Sequence, residues 1–147
     1  PEPGSEIRIS VPRAEQLSQW NGLVELWRAG SLCDVVFHNT QGSRFAAHAV
    51  VLGLVSPRLR KQLEAETKAS MPPLEIAVDA PSHAVKAALD YVYEGSARMR
   101  PHVAPEVLRF ARQWEFTGLQ EALASELMDN LTPEIAAGLF ALGEPFG

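Results

Sequence analysis

Polar and apolar residues alternate from Glu6 to Val11, with Ile7, Ile9 and Val11 on one side and Glu6, Arg8 and Ser10 on the other. A period of two predicts a half-buried strand. Pro12 closes it and cannot donate to a ladder, which assigns the strand to a sheet edge. From Arg13 to Ala29 the period lengthens, and Leu17, Trp20, Leu23, Val24 and Trp27 recur at helical spacing. That stripe holds two tryptophans and a large aromatic area. The leading strand has no hairpin partner beside it and the core helices come later, so both elements are expected at a subunit interface.

Residues 33–37 (CDVVF) are rich in β-branched and aromatic side chains, the make-up of a packed strand. Asn39 to Ser43 is turn chemistry around Gly42, and Arg44-Phe45-Ala46 returns as the second arm of a hairpin. His48 opens the run Val50, Val51, Leu52, Leu54, Val55, whose aliphatic density predicts a buried helix. Ser56-Pro57 starts the next helix as N-cap and first helical residue. Leu59 and Leu63 share its inner face to about Glu66, and a polar, proline-closed loop follows to Pro73.

Residues 74–78 (LEIAV) alternate as a short strand. A helix beginning near Ser82 carries Val85, Ala88, Leu89 and Val92 on one face and meets Gly95, well placed as its C-cap. Residues 99–104 look irregular. Further amphipathic helices carry Val107, Leu108, Phe110, Ala111 and Trp114, then Leu119, Leu123 and Leu127. Thr132-Pro133 repeats the cap-and-proline start before Ile135, Leu139, Phe140 and Leu142. The fold class is α+β, a small mixed sheet flanked by a cluster of helices.

The 147 residues suit one domain with a real core. Net charge is −5, which lacks the electrostatic footprint of a nucleic-acid binder, and no apolar run is long enough to cross a bilayer. The single cysteine, Cys33, excludes an intrachain disulfide and fits the cytoplasm or nucleus. His38, His48, His83 and His102 fall on different elements without metal-ligand spacing, so neither metal nor cofactor is expected. Cys33, His48 and Asp34 compose a nucleophile triad only if forced together. A buried structural thiol beside a capping histidine is far the commoner meaning of such a match. Asp34 among apolar neighbours needs a partner, which locally is the nearby helix start or the loop.

Asp34-Val35, then Phe45-x-x-His48-x-x-Val51-Leu52, then Ser56-Pro57, resembles the opening of a BTB (POZ) domain, and Leu89-x-Tyr91-x-Tyr93-x-Gly95 is similar to that family's second signature. The resemblance spans residues 7–128, with 1–6 expected as a disordered or expression-derived tail. Residues 129–147 resemble the start of the helical extension, the 3-box and BACK region, of kelch-type members. It implies a non-catalytic homodimer whose interface holds Ile7, Ile9, Leu17, Trp20, Leu23, Val24, Trp27 and Asp34. It further implies a substrate adaptor of a cullin-3 ubiquitin ligase, with substrate bound by a domain outside this chain and cullin contacts expected at Leu63, Glu66, Met71 and Phe140. The family's hydrophobic-x-Glu cullin motif is missing from Leu59 to Ile76, which predicts weakened cullin-3 binding. The alternative implied is the dimerisation domain of a zinc-finger transcriptional regulator that recruits corepressors. Those members often carry a basic residue after the histidine, where this chain has Ala49.

Overall fold

The computed structural model describes residues 6–10 and 18–141. Val11, Leu17 and Leu142, named above for the leading strand, first helix and last helix, lie outside the described residues.

The hairpin forms around Asn39. Strand β2 (Val35–Asn39) pairs antiparallel with β3 (Arg44–Ala47), Phe37 opposite Phe45. Asn39 Oδ1 accepts from the Gln41 and Ser43 N–H groups at 3.1 and 3.0 Å, and Gly42 takes φ 83°. This side-chain mimicry of a turn is why asparagine suits the position. Helices α2 (Ala49–Val55) and α3 (Pro57–Ala69) then carry the chain across to β4 (Leu74–Val78), which joins β2 in parallel. Parallel pairing needs such a crossover. The sheet order is β3-β2-β4.

Ser56 Oγ accepts from the Leu59 N–H at 2.9 Å with Pro57 next, as the sequence predicts, and donates to the Trp114 carbonyl at 2.5 Å. Helix α4 (Ser82–Glu94) ends at Gly95, φ 79°. Strand β5 (Ser96–Met99) and helices α5 (Ala104–Gln113), α6 (Thr117–Asp129) and α7 (Pro133–Ala141) complete the described chain. Phe37 meets Phe110 edge-on at 6.4 Å, and Phe110 stacks on Phe116 at 5.7 Å, so one aromatic column joins the sheet to the helices.

Two expectations are corrected. Strand β1 (Ile7–Ser10) has a partner in its own chain: it pairs antiparallel with β5, and Ile7 and Ile9 are buried there. Ser96-Ala97-Arg98-Met99 has little intrinsic strand preference, which hid β5 in the sequence; β1 supplies its ladder. Helix α2 is not buried all round. Val51 and Leu52 are interior, whereas Val50 and Leu54 stand 69% and 73% exposed. No helix of the described residues is long and apolar enough to cross a membrane.

Candidate interaction surface

Helix α1 (Ser18–Ala29) turns its tryptophans onto its own chain. Trp20 Nε1 donates to the Tyr93 carbonyl at 2.7 Å, and Trp27 stacks on the Tyr93 ring with centroids 4.5 Å and planes 4° apart. Tyr93 lies in the last turn of α4, where carbonyls lack a helical partner, so the indole N–H meets a need of the helix end. Val24 is buried, and Trp20, Leu23 and Trp27 are half-buried against the core. The stripe, expected at a subunit interface, also docks α1 on α4 within its own chain.

A polar cluster sits where α1, β2, α2 and α4 meet. The Tyr93 hydroxyl accepts from the His48 backbone N–H at 2.8 Å and lies 2.8 Å from His48 Nδ1. His48 Nε2 lies 3.0 Å from the Ser31 carbonyl and 3.6 Å from Cys33 Sγ. A carbonyl only accepts, so Nε2 is the donor to it and carries a proton. That arrangement removes the triad. The nitrogen facing Cys33 has no lone pair with which to take the thiol proton. Burial, and then the nearby Asp34, push the Cys33 thiol up from its ordinary value, away from a thiolate. His48 occupies the N-cap position of α2 without capping it through its side chain, which corrects that expectation. The cap is Asp34, whose Oδ1 accepts from the Ala49 N–H at 2.7 Å. Asp34 thus has the local partner that a carboxylate at a strand start requires.

The four residues expected to meet a cullin fall in three environments. Leu63 is 3% exposed, one turn from Leu59 inside α3, and is corrected from partner contact to core. Glu66 is half-buried. Met71 and Phe140 are 86% and 87% exposed, on the loop after α3 and on α7. A groove of about 750 Å³ runs between α2–α3 and the start of α6, lined by Leu54, Arg58, Arg60, Lys61, Glu64 and Glu115 among others. In it the Arg58 guanidinium lies 4.2 Å over the Trp114 ring and donates to the Gln113 carbonyl.

The sequence reading missed Leu32, Val50 and Leu54, all exposed. Val50 and Leu54 are spaced i, i+4, and a seven-residue helix that buries Val51 and Leu52 leaves its other side outward. That spacing was the available signal, and the density of the apolar run masked it.

An α+β core with a β3-β2-β4 sheet, helices around it and an exposed apolar face beside α1 and α2 describes an interaction module. Residues 23–131 match the family model for the BTB/POZ domain. The chain belongs to that family. Two curated BTB proteins are similar to it, both named Kelch repeat and BTB domain-containing protein 8. The one from Xenopus tropicalis is 22% identical over 145 residues, which cover 99% of this chain and 24% of the relative. The one from Danio rerio is 25% identical over 126 residues, covering 85% and 21%. The chain thus spans under a quarter of the length of these relatives. Among solved structures, the BTB domain of zebrafish PATZ1 superposes with a TM-score of 0.65 at 18% identity, over 80% of this chain and 98% of that one. That likeness establishes the BTB fold. BTB domains are interaction modules, and the match indicates no enzymatic family.

Proposed function

We propose that this chain is the homodimerising BTB module of a substrate adaptor for a cullin-3 ubiquitin ligase, non-catalytic itself, with substrate held by a domain outside residues 1–147. Dimerisation uses the side of α1 and α2 turned away from the core, where Leu23 and Trp27 are part-exposed and Leu32, Val50 and Leu54 project. The observation that carries the adaptor reading is the exposure of Phe140 and Met71 together with helix α7, which continues past the family match. A helix pair and loop of this kind suit a partner helix laid apolar side down. The kelch-containing relatives support the same reading. The missing glutamate removes one charge-assisted contact of ~1.5–3 kcal/mol, so binding about ten- to a hundredfold weaker than in motif-bearing adaptors is the expectation.

Titration calorimetry with a cullin-3 N-terminal domain tests this. Weak heat that Phe140→Ser abolishes, and that a Met-x-Glu triplet placed at Thr67-Lys68-Ala69 strengthens, is the supporting outcome. No heat at high micromolar concentration for either chain overturns it. The second reading is the dimerisation domain of a zinc-finger regulator recruiting corepressors, favoured by the well-formed leading strand β1. Zinc-finger repeats in place of kelch repeats in the full-length protein decide for it.

A further inference from the structure

Strand β3 is the outer strand of the β3-β2-β4 sheet, and among the described residues no other strand lies beyond it. In the β2–β3 ladder the Asn39 N–H donates to the Ser43 carbonyl at 3.3 Å, and Phe37 stands opposite Phe45. Antiparallel pairs alternate between bonded and non-bonded. Phe37 and Phe45 therefore exchange hydrogen bonds, while the N–H and C=O of Arg44 and Ala46 point away from β2. Such an edge is a template for another strand unless proline, a bulge or a covering element guards it. Arg44-Phe45-Ala46-Ala47 holds no proline, pairs in unbroken register and carries a single charge.

The edge opens onto a groove of about 520 Å³ that separates β3 from the end of α1 and from α4. Trp27, Phe45 and Leu89 supply apolar surface, while Arg28, Arg44 and Lys86 face Asp90 and Glu94 around the rim. An edge strand on one wall and a helix on the other is the geometry in which an extended peptide adds a strand. Its backbone then gives affinity and its alternate side chains give specificity. Alternation turns the side chain opposite Phe45 inward, over the apolar surface, and its two neighbours outward, beside Arg44. Arg28 is paired with Glu94 at 3.0 Å and Lys86 with Asp90 at 2.9 Å. Arg44 meets Glu75 at 3.4 Å, both half-exposed, and an exposed pair of that kind is readily exchanged for another. The rim thus holds one more cation than carboxylate, in a chain of net charge −5.

We infer that the groove between β3 and α4 takes an extended acidic peptide of another protein as an added strand of the sheet. The peptide backbone pairs with Arg44 and Ala46, an apolar side chain enters over Trp27, Phe45 and Leu89, and a carboxylate lies beside Arg44. A second copy of this chain is the poorer occupant. Its β3 would bring another Arg44 to the edge and join two chains of like net charge. None of Leu32, Val50, Leu54, Met71 and Phe140 lines the groove, so peptide capture stands or falls apart from the dimer and cullin readings.

The probe is an acetylated, amidated hexapeptide of sequence Thr-Glu-Phe-Glu-Val-Thr, with amide exchange of β3 as the readout. In the free chain the Arg44 and Ala46 amides are expected to exchange fast and the Phe45 amide slowly. Saturating peptide should slow the first two about tenfold or more. Methylating one alternate set of peptide amides should weaken binding about ten- to a hundredfold, and methylating the other set should leave it intact. Arg44→Glu should reverse the charge preference, so that the analogue with lysine for both glutamates becomes the tighter ligand. Ala46→Pro deletes an outward N–H without touching the β2 ladder and should abolish binding. If Ala46→Pro unfolds the chain, Arg44→Glu decides alone. No binding at millimolar peptide, binding indifferent to which amides are methylated, or a preference that Arg44→Glu fails to reverse overturns the inference. So does protection of Arg44 and Ala46 that grows with protein concentration in the absence of peptide, which would give the edge to a second copy.

Discussion

Trp27 lies flat on Tyr93, ring centroids 4.5 Å and planes 4° apart, and the same Tyr93 takes the Trp20 indole N–H on its carbonyl. One residue at the end of α4 therefore receives the whole of α1. Trp27→Ala removes the stacked face and leaves a cavity over Tyr93, with an expected loss of about 2–3 kcal/mol for a half-buried aromatic. The urea midpoint should fall with the slope unchanged. An unaltered midpoint with a lost dimer would place Trp27 at the interface instead.

Cys33 and Tyr93 give the fold an alkaline limit. Burial pushes both up from their ordinary values, Asp34 adding to each while the His48 backbone N–H partly opposes the shift at Tyr93. The unfolded chain releases these protons first, at ~8.5 for a thiol and ~10 for a phenol. Below those values the stabilisation is complete; above them the folded state binds more protons and stability falls as pH rises toward the folded values. Denaturation followed from pH 8 to 11 should show this decline, and Tyr93→Phe should flatten its upper part. At pH 7.5 Cys33 should alkylate more slowly than a free peptide thiol. A faster rate would mean that the thiol is activated.

The hairpin, the Ser56-Pro57 start, the 74–78 strand and the Gly95 stop were legible because each rests on local chemistry: a turn, a cap, an alternation, a left-handed glycine. What escaped depends on distant partners. Strand β5 exists because β1 pairs with it, and no pattern in Ser96-Ala97-Arg98-Met99 announces that. The tryptophan stripe of α1 was visible, but its target was not, since nothing in Tyr93 as a letter shows that its carbonyl is a helix-end orphan. Leu63 was legible from its i, i+4 spacing with Leu59 as an inner-face residue, and its place among the expected cullin contacts came from the family resemblance; it faces the core. Leu32 takes φ 58° with no sequence signature, because leucine is a residue the left-handed region disfavours.

Ser56 joins two elements through one oxygen, capping α3 at Leu59 and donating to the Trp114 carbonyl at the end of α5. It is wholly buried. Ser56→Ala leaves a buried N–H and a buried carbonyl each short of a partner, about 2–4 kcal/mol in all. A thermal midpoint within a degree of wild type would show that water replaces both bonds. Ser56→Thr should retain most of the stability.

Arg8 stands directly opposite Arg98 across the β1–β5 ladder, and both are exposed. Like charges facing one another across an antiparallel pair destabilise it, and an opposite pair contributes ~0.2–1 kcal/mol. Arg8→Glu converts the first case into the second. Its thermal midpoint should rise, and its response to salt should reverse. Raising ionic strength from 0.01 to 0.3 M screens a repulsion in wild type and an attraction in the variant. The ladder is formed within one chain, so the dimer dissociation constant is expected to stay put while the midpoint moves. Exchange of β1 onto a second copy's β5 would set Arg8 against Arg98 of the other subunit. Arg8→Glu would then tighten the dimer, and the gain in midpoint would grow with protein concentration. Melting at two concentrations a hundredfold apart therefore decides which chain β1 serves.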